Sequence, residues 1–281
     1  MQQIVLSDHV NEQLSAAQGA RRAAFDEEMK LYHQALEKRK KLKAARHKRL
    51  SQAWAQGRFI AGIGAVMAII AGMFSFAPRH PVLRTETGRN ERVWRSGEEG
   101  ERRVEQFFAN FLSDKWTMLS GYHNPRGEID QILVGPNGVF ALEVKNLNGV
   151  VHCNGDHWWR DRYDRYGNQV SSGDPLSDRG GRSPSRQLNE PADRLASQLA
   201  RRTGVGVIHR IVVLTHPRSG IGEMHNQRVN LVAVLHRNHP RDLLGISDYL
   251  LDSSQVNGVV KTIQEDHAYH RDRRGRSRRG N

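Results

Sequence analysis

The clearest hydrophobic pattern in the chain lies between residues 127 and 145. Two apolar runs, 129–134 and 139–145, flank the sequence Gly135-Pro136-Asn137-Gly138. This tetrapeptide is a strong turn signal, because proline presets φ and glycine accepts positive φ. The pattern therefore predicts a β-hairpin.

Charged residues interrupt both strands of this hairpin. Asp130 lies in the first run, and Glu143 and Lys145 lie in the second. Because side chains alternate between faces along a strand, Glu143 and Lys145 share one face. With a two-residue loop, paired positions sum to 273 and Asp130 lies opposite Glu143; a bulge at Gly138 would shift the pairing by one residue. The sequence thus predicts three charged groups close together.

Two adjacent carboxylates raise each other's pKa unless a cation lies between them. Mg²⁺ suits such a pair, because it takes oxygen ligands and keeps waters for a phosphate-bearing substrate. The ammonium of Lys145 would then orient or help to deprotonate water, or stabilise the charge that develops on phosphorus. The alternative is a solvated row of ion pairs on the open face of an antiparallel sheet.

The flanking segments predict further elements. Ser96 is an expected N-cap ahead of acidic residues, and the apolar residues that follow it recur at helical spacing. A second helix is expected to open at Ser183-Pro184. Buried strands are predicted at 209–215 and 231–235, and a closing helix at 241–251. Residues 160–186 have the composition of a long polar loop whose arginines either contact phosphates or are solvated.

The order of these motifs resembles that of the nuclease-related domain, NERD, a branch of the PD-(D/E)xK nuclease superfamily. The motifs are the Gly-Glu helix, the Asp hairpin, the Glu-x-Lys strand, the Pro-x-x-Gln helix and the apolar strand. The resemblance covers roughly residues 94–215. It implies an α/β fold with a restriction-endonuclease-like central mixed sheet flanked by helices. The chain has Ser183-Pro184 where the family often has Asn-Pro. Gln187 matches the polar helix residue that supports such sites; an ordinary surface glutamine is the alternative.

The resemblance also implies roles for the charged residues. Asp130 and Glu143 would be ligands of Mg²⁺ (or Mn²⁺), and Lys145 the catalytic lysine. Glu101 would be the helix carboxylate that completes the metal site, with Glu98 as the second choice. Favourable interaction with the helix dipole is the simpler reading of these two glutamates.

A second strong pattern is the uncharged run Phe59–Ala77. Its length suits a hydrocarbon core of about 30 Å, so a single transmembrane helix is predicted at 58–78, with a buried core helix as the alternative. Small residues recur every four positions at Gly64, Ala68 and Gly72, which suggests a homodimer through this helix.

These patterns divide the chain into five parts. A basic, helical N-terminal region (1–57) and the membrane segment (58–78) precede a linker (79–93) and the nuclease-like domain (94–250). The C-terminal segment 251–281 carries an Arg-rich tail that we expect to be disordered.

The positive charge is concentrated outside the predicted domain. Lys38–Arg49 carries eight positive charges and Arg271–Arg279 a net five, which together account for the whole formal net charge of +13. The first segment suits anionic lipid headgroups, and the second either binds nucleic acid without specificity or only keeps the chain soluble.

Basic residues also predict the orientation in the membrane. Nine lie within about twenty residues before the apolar run and five after it. The positive-inside rule therefore predicts a single-pass protein of the cell inner membrane with its N-terminus in the cytoplasm and the nuclease-like domain outside. A role in DNA repair would require the opposite orientation.

The leading functional hypothesis is a membrane-anchored nuclease that hydrolyses phosphodiester bonds in DNA with the help of a metal ion. RNA remains open as a substrate. One alternative is a nuclease-derived module that holds nucleic acid at the membrane without cutting it. Another is a structural membrane protein that assembles through its N-terminal helix.

Overall fold

The structure is a computed structural model that describes residues 1–7, 9–55, 79–81, 89–233 and 250–279. The helices in these ranges are α1 (His9–Ala55), α2 (Arg89–Ala109), α3 (Pro184–Thr203) and α4 (Ser253–Arg279). The strands are β1 (Gln2–Val5), β2 (Thr117–Asn124), β3 (Gly127–Gly135), β4 (Gly138–Lys145), β5 (Gly149–Asn154), β6 (His157–Tyr163), β7 (Gln169–Pro175), β8 (Ile208–Leu214), β9 (Ser219–His225) and β10 (Asn230–Ala233). The chain forms two compact units, one of Met1–Gln13 with Arg92–Asn281 and one of Leu14–Glu91.

The unit Leu14–Glu91 contains most of α1. This helix of 47 residues confirms the long helix predicted for the N-terminal region. Its apolar side chains do not form a continuous buried face, since Leu31 and Leu42 are exposed. The predicted transmembrane segment 58–78 lies outside the described residues. Among the helices that the structure describes, none is long and apolar enough to cross a membrane.

The other unit is built on two mixed sheets. The large sheet has the strand order β1-β2-β3-β4-β8-β10, and the small sheet has the order β7-β6-β5-β9. In the large sheet β2, β3 and β4 are antiparallel neighbours, whereas β8 runs parallel to β4. The predicted α/β fold with a central mixed sheet and flanking helices is therefore confirmed at this level.

The β3–β4 hairpin has the predicted register. Gln131 pairs with Leu142 and Gly135 pairs with Gly138, so paired positions sum to 273 and no bulge shifts the strands. Gly138 has a φ of 114°, a conformation that side-chain-bearing residues rarely adopt. The turn sequence thus fixes which face of β4 carries Glu143 and Lys145.

The two faces of the large sheet bury separate cores. One face packs on α2 through Val104 and Phe108, against residues such as Leu133 and Leu142. The opposite face packs on α3 and α4 and contains Ile132, Val139 and Ala141 together with Leu188, Leu195, Leu199, Val256, Val259 and Ile263. Residues 132–134 of β3 and 139–142 of β4 alternate between the two cores, as the pleat requires.

Strand β1 was not predicted from the sequence. It pairs in parallel with β2, and the chain then passes against Gly121, whose carbonyl accepts a hydrogen bond of 2.7 Å from Ser7 Oγ. Gly121 has a φ of 71°, and a Cβ there would lie 2.2 Å from the Ser7 carbonyl oxygen. The N-terminal residues are therefore part of the domain, which extends beyond the predicted interval 94–250.

We expect Gly121→Ala to lower the free energy of unfolding by about 3–4 kcal/mol, since it combines left-handed backbone strain with displacement of the segment around Ser7. Gly173→Ala is the matched control, because Gly173 has a φ of 69° with no atom within 4 Å of the added Cβ. Its free energy of unfolding should fall only by the cost of the backbone strain, about 1–2 kcal/mol. Urea denaturation followed by tryptophan fluorescence measures both, and equal losses would contradict the close packing of the N-terminal segment.

Two predictions about helix α2 and the loop after β6 were wrong. Ser96 is not an N-cap, because α2 already begins at Arg89 and includes the last part of the predicted linker 79–93. The preceding Arg and Glu residues are good helix formers, so the helix extends through the local capping signal. Within the predicted loop 160–186, residues 160–163 belong to β6 and residues 169–175 to β7, and Arg162 forms an ion pair of 2.8 Å with Asp174.

Trp158 on β6 contacts the start of α3. Trp158 is buried and donates a hydrogen bond of 2.9 Å from Nε1 to Ser185 Oγ at the start of α3. This contact ties the small sheet to the helix that borders the large one.

The C-terminal segment also differs from prediction. The expected helix at 241–251 falls largely outside the described residues, and Leu250 and Leu251 are not helical. The segment expected to be disordered is helical, since α4 runs from Ser253 through Arg279. Burial of Val259 and Ile263 anchors the helix, and propagation beyond a packed segment is less costly than forming a new nucleus.

Candidate active site

Asp130, Glu143 and Lys145 lie at one end of the large sheet, where β3 begins and β4 ends. Ile132 and Ala141 belong to the core beneath α3 and α4. Because faces alternate along β4, Glu143 and Lys145 lie on the same side of the sheet as Ala141. We call the end of the large sheet that carries Asp130, Glu143 and Lys145 the charged end.

Asp130 occupies the position where the hairpin strands separate. The last paired residues are Gln131 and Leu142, one step before Asp130 and Glu143 would meet. Asp130 Oδ2 accepts a hydrogen bond of 2.7 Å from the Val144 amide. The carboxylate is thus held against the backbone of β4, next to Glu143.

Lys145 joins the hairpin to α3. Its Nζ donates hydrogen bonds of 2.6 Å to Glu143 Oε1 and 2.9 Å to Gln187 Oε1. The side chain of Glu143 is only 6% exposed, so this ion pair is largely shielded from water. The structure therefore brings Asp130, Glu143, Lys145 and Gln187 together, as the sequence predicts.

The environment favours the neutral form of Asp130. Burial raises the pKa of this carboxyl well above its usual value, and the negative charge of Glu143 raises it further. Lys145 and the hydrogen bond from Val144 oppose this effect without cancelling it. An isolated pair of ionised carboxylates is thus unfavourable here, which is the condition that a bound cation relieves.

The same groups hold Lys145 in its charged form. Burial alone would lower the pKa of Lys145, but the attraction of Glu143 and Asp130 and the hydrogen bond to Glu143 outweigh it. The pKa of Lys145 consequently lies above its usual value. At neutral pH the Lys145 ammonium therefore carries a positive charge and donates hydrogen bonds, but it does not accept a proton.

Gln187 is oriented by the start of α3. Ser183 caps this helix by accepting a hydrogen bond from the Arg186 amide, and Pro184 occupies the first turn. Gln187 Nε2 donates a hydrogen bond of 2.8 Å to the Arg182 carbonyl, which turns Oε1 toward Lys145. The Ser-Pro start therefore forms a normal helix N-terminus despite its departure from the family pattern.

Asp178 organises the loop before α3, and sequence reasoning missed it. Its carboxylate accepts hydrogen bonds from the Gly180 and Arg182 amides and from Arg182 Nε. Its charge also contributes to the raised pKa of Lys145. An aspartate two residues before Gly180-Gly181 is the turn signal that indicates this loop.

A glycine lets α2 approach the charged end closely. A Cβ on Gly100 would lie 2.9 Å from Thr215 Oγ1 and 3.2 Å from Asn146 Cβ. Asn146, which directly follows Lys145, donates hydrogen bonds to the Ser96 carbonyl and hydroxyl. Sequence reasoning missed Asn146, although a polar residue at the end of the Glu-x-Lys strand is the signal for such a contact.

The two glutamates predicted on α2 have different positions. The backbone carbonyl of Glu101 accepts a hydrogen bond of 3.1 Å from Gln131 Nε2, and its negative charge adds to the raised pKa of Asp130. Glu98 is partly buried. Among the hydrogen bonds and ion pairs of the described residues, none joins Glu98 to Asp130 or Glu143. Glu101 is therefore the better placed of the two.

The donor chemistry fits a hard divalent cation in part. Asp130 and Glu143 supply neighbouring carboxylate oxygens, and Mg²⁺ is commonly bound by one or two carboxylates together with waters and substrate phosphates. Within the part of the chain that the structure describes, however, no group of three or more His, Cys, Asp or Glu side chains is arranged to hold a metal ion. The predicted third ligand, Glu101, does not complete such a group, although its negative charge is close enough to raise the pKa of Asp130.

The fold and the site define a mixed α/β domain with a carboxylate pair and a lysine at one end of its central sheet. Residues 96–215 of this domain match the family model NERD, the nuclease-related domain. This match confirms the predicted resemblance, is consistent with the PD-(D/E)xK superfamily, and includes all the predicted site residues. Neither the curated proteins nor the solved structures compared with this chain give a match.

Proposed function

We propose that the chain is a membrane-anchored, metal-dependent nuclease that hydrolyses phosphodiester bonds in DNA. The observation that carries the proposal is the cluster of Asp130, Glu143, Lys145 and Gln187 at the charged end of a nuclease-related domain. A restriction-endonuclease-like arrangement of the sheet belongs to the same proposal.

The proposed chemistry divides between the carboxylates and the lysine. A Mg²⁺ or Mn²⁺ ion held by Asp130 and Glu143, with Glu101 nearby, would polarise a phosphoryl oxygen and lower the pKa of water. Lys145 contributes a fixed positive charge next to the position of the phosphate, where negative charge increases in the transition state. Gln187 keeps the Lys145 ammonium in place, since its Oε1 accepts a hydrogen bond from Lys145 Nζ.

The deciding experiment measures cleavage of supercoiled plasmid and linear DNA by the full chain in neutral detergent micelles. The full chain is needed because a fragment starting at residue 79 would lack β1 and the segment that packs on Gly121. Mg²⁺-dependent cleavage is expected, with loss of at least about 100-fold in Glu143→Gln. Cleavage that persists in this variant or in excess chelator would refute the proposed site. Labelled RNA in the same assay decides between the two nucleic acids.

A second candidate function is a module that holds nucleic acid at the membrane without cutting it. The direct ion pair between Glu143 and Lys145 favours this candidate, because it uses a carboxylate oxygen that a metal ion would also need. The absence of a third metal-ligating side chain among the described residues favours it as well. Tight DNA binding without cleavage in either Mg²⁺ or Mn²⁺ would decide for this function.

Membrane anchoring is proposed from residues 58–78 and from the basic segment that precedes them. The charge distribution favours an inner-membrane protein with a cytoplasmic N-terminus, and the small residues in the apolar run favour a homodimer. A C-terminal reporter that is active only in the cytoplasm tests the orientation. Signal from that reporter would place the nuclease-related domain inside the cell.

A further inference from the structure

The direction of α4 relative to the sheet is fixed by contacts at both ends. Before α4 begins, the Leu251 amide donates a hydrogen bond of 2.7 Å to the Pro136 carbonyl, at the turn of the β3–β4 hairpin. Further along α4, His267 Nδ1 accepts a hydrogen bond of 3.1 Å from the His123 amide, near the end of β2. The hairpin turn and the end of β2 lie at opposite ends of the sheet. Helix α4 therefore runs from the turn toward the charged end.

The strand register shows how far α4 has advanced at this contact. His123 pairs with Glu128 across β2 and β3. Paired residues of β3 and β4 have numbers that sum to 273. Extending this register beyond the last pair places Glu128 at the level of Lys145. The residues of α4 beyond His267 thus extend past the level of Lys145.

Contacts with α3 give the same direction independently. Glu265 forms an ion pair of 2.6 Å with Arg202 near the end of α3, and His270 lies 2.7 Å from an Arg194 guanidinium nitrogen closer to its start. The two helices are therefore antiparallel, and α4 advances toward the N-terminus of α3, where Gln187 contacts Lys145. Both helices pack on the same face of the large sheet.

The segment of α4 that passes the charged end is Arg271–Arg279, which carries six arginines and one aspartate. At a rise of 1.5 Å per residue, nine helical residues extend about 13 Å. One strand of B-DNA has a phosphate about every 3.4 Å along the helix axis, so several phosphates match this length. Arg271 and Arg273 are exposed.

The arginines near α3 are engaged in ion pairs with acidic residues. Arg182 pairs with Asp178, and Arg210 and Arg228 pair with Asp193. The chain outside Lys38–Arg49 and Arg271–Arg279 has no net formal charge. The densest run of positive charge in the unit of Met1–Gln13 with Arg92–Asn281 is the end of α4.

We propose that Arg271–Arg279 of α4 is a phosphate-binding surface for nucleic acid that holds the substrate backbone beside the charged end. The inference rests on the proposed function for the identity of the polyanion. It assigns the binding to a segment outside the matched nuclease-related region, residues 96–215. Stabilisation of the helix C-terminus by positive charge acts only within the last turn, whereas these arginines occupy nine residues.

The test measures the salt dependence of DNA binding by the full chain in neutral micelles, without divalent ions, so that no cleavage occurs. The probe is a fluorescent duplex of about 30 base pairs. The test variant carries Arg273→Gln, Arg274→Gln, Arg276→Gln and Arg278→Gln. A matched variant removes four positive charges from α1 through Lys38→Gln, Arg39→Gln, Lys40→Gln and Lys41→Gln. Circular dichroism verifies that both variants retain their helices.

We expect the α4 variant to lose at least tenfold in affinity near 0.15 M salt. Its slope of log affinity against log salt should fall by up to about 3.6, or 0.9 for each phosphate that the protein no longer neutralises. The α1 variant should retain the slope of the unsubstituted chain. An unchanged slope in the α4 variant, or equal losses in both variants, would overturn the proposal.

Two further outcomes separate this surface from the catalytic site. If the slope changes as expected but Mg²⁺ gives no cleavage, the surface stands and the proposed hydrolysis fails. If cleavage occurs but the slope does not change, the surface is wrong and the nuclease proposal stands. Micelles doped with phosphatidylglycerol test whether the partner is instead an anionic lipid surface. If lipid binding depends on these arginines while the salt slope of DNA binding is unchanged, the segment is assigned to the membrane.

Discussion

Replacing Lys145 with methionine is expected to lower the kcat for DNA cleavage about 100- to 1,000-fold while DNA binding is retained. This is the usual size of the effect when one group that stabilises transition-state charge is removed. Lys145 is bound to Glu143 and Gln187 and keeps its proton at neutral pH, because its carboxylate neighbours raise its pKa. Steady-state cleavage of linear DNA at saturating concentration measures the loss.

The pH profile separates this role from that of a proton acceptor. If Lys145 acted as a base, the rate in the unsubstituted protein would rise steadily with pH until the lysine lost its proton. If Lys145 is instead a fixed ammonium, it should cause no increase in the cleavage rate between pH 7 and 9. The rate should fall above the pKa of the lysine, where the positive charge is lost. A rising limb that disappears in Lys145→Met would contradict the fixed-charge role.

A stability control is needed because methionine leaves Glu143 buried without its cation. Removing one partner of a buried ion pair typically costs about 3–5 kcal/mol. The double variant Lys145→Met with Glu143→Gln removes both charges and should recover most of the melting temperature without recovering cleavage. Lys261→Met is the surface control, since this lysine is exposed and should change neither property.

Local chemistry predicted the parts of the fold whose signals lie close together in the sequence. The hairpin followed from its turn residues, and the start of α3 followed from Ser183 and Pro184. The nomination of Gln187 as a site residue followed from the resemblance rather than from spacing. The residues that the resemblance nominates on β3, β4 and α3 meet in space, and the negative charge of Glu101 on α2 acts on Asp130.

Long-range pairing accounts for most of what the sequence did not predict. Strand β1 has only four residues and becomes a strand by pairing with β2, more than a hundred positions away. Val256, Val259, Val260 and Ile263 recur at helical spacing, a local signal of α4 that sequence reasoning missed. The Tyr122 hydroxyl donates to Asp266 and holds α4 on the sheet. Such contacts depend on the assembled fold, which no local pattern encodes.

Replacing Asp130 with asparagine is expected to stabilise the protein at pH 8 without divalent ions, by about 2–6 °C in melting temperature. The pKa of Asp130 lies well above that of an unfolded aspartate, because burial and Glu143 disfavour its charge. The folded state therefore binds this proton more tightly than the unfolded state. The free energy of unfolding then falls as pH rises from about 4 through the folded pKa, by up to about 1.4 kcal/mol per pH unit.

Asparagine removes the charge but keeps an oxygen for the Val144 amide. The variant and the unsubstituted protein should accordingly differ little at pH 4 and most at pH 8. Asp114→Asn, on an exposed residue, is the matched control and should show no such divergence. A lower melting temperature for Asp130→Asn at pH 8 in chelator would contradict the strained carboxylate pair.

Magnesium should reverse the order of the two proteins. An ion that binds only the folded state stabilises it by about 2.7 kcal/mol at 100 times its dissociation constant. Since binding at Asp130 and Glu143 requires ionised carboxylates, the shift in melting temperature caused by Mg²⁺ should grow with pH over the same window in which the metal-free protein loses stability. The Mg²⁺-induced rise in melting temperature could instead be the same in Asp130→Asn as in the unsubstituted protein, or independent of pH. Either result would place the metal away from this pair and leave Lys145 as the main partner of Glu143.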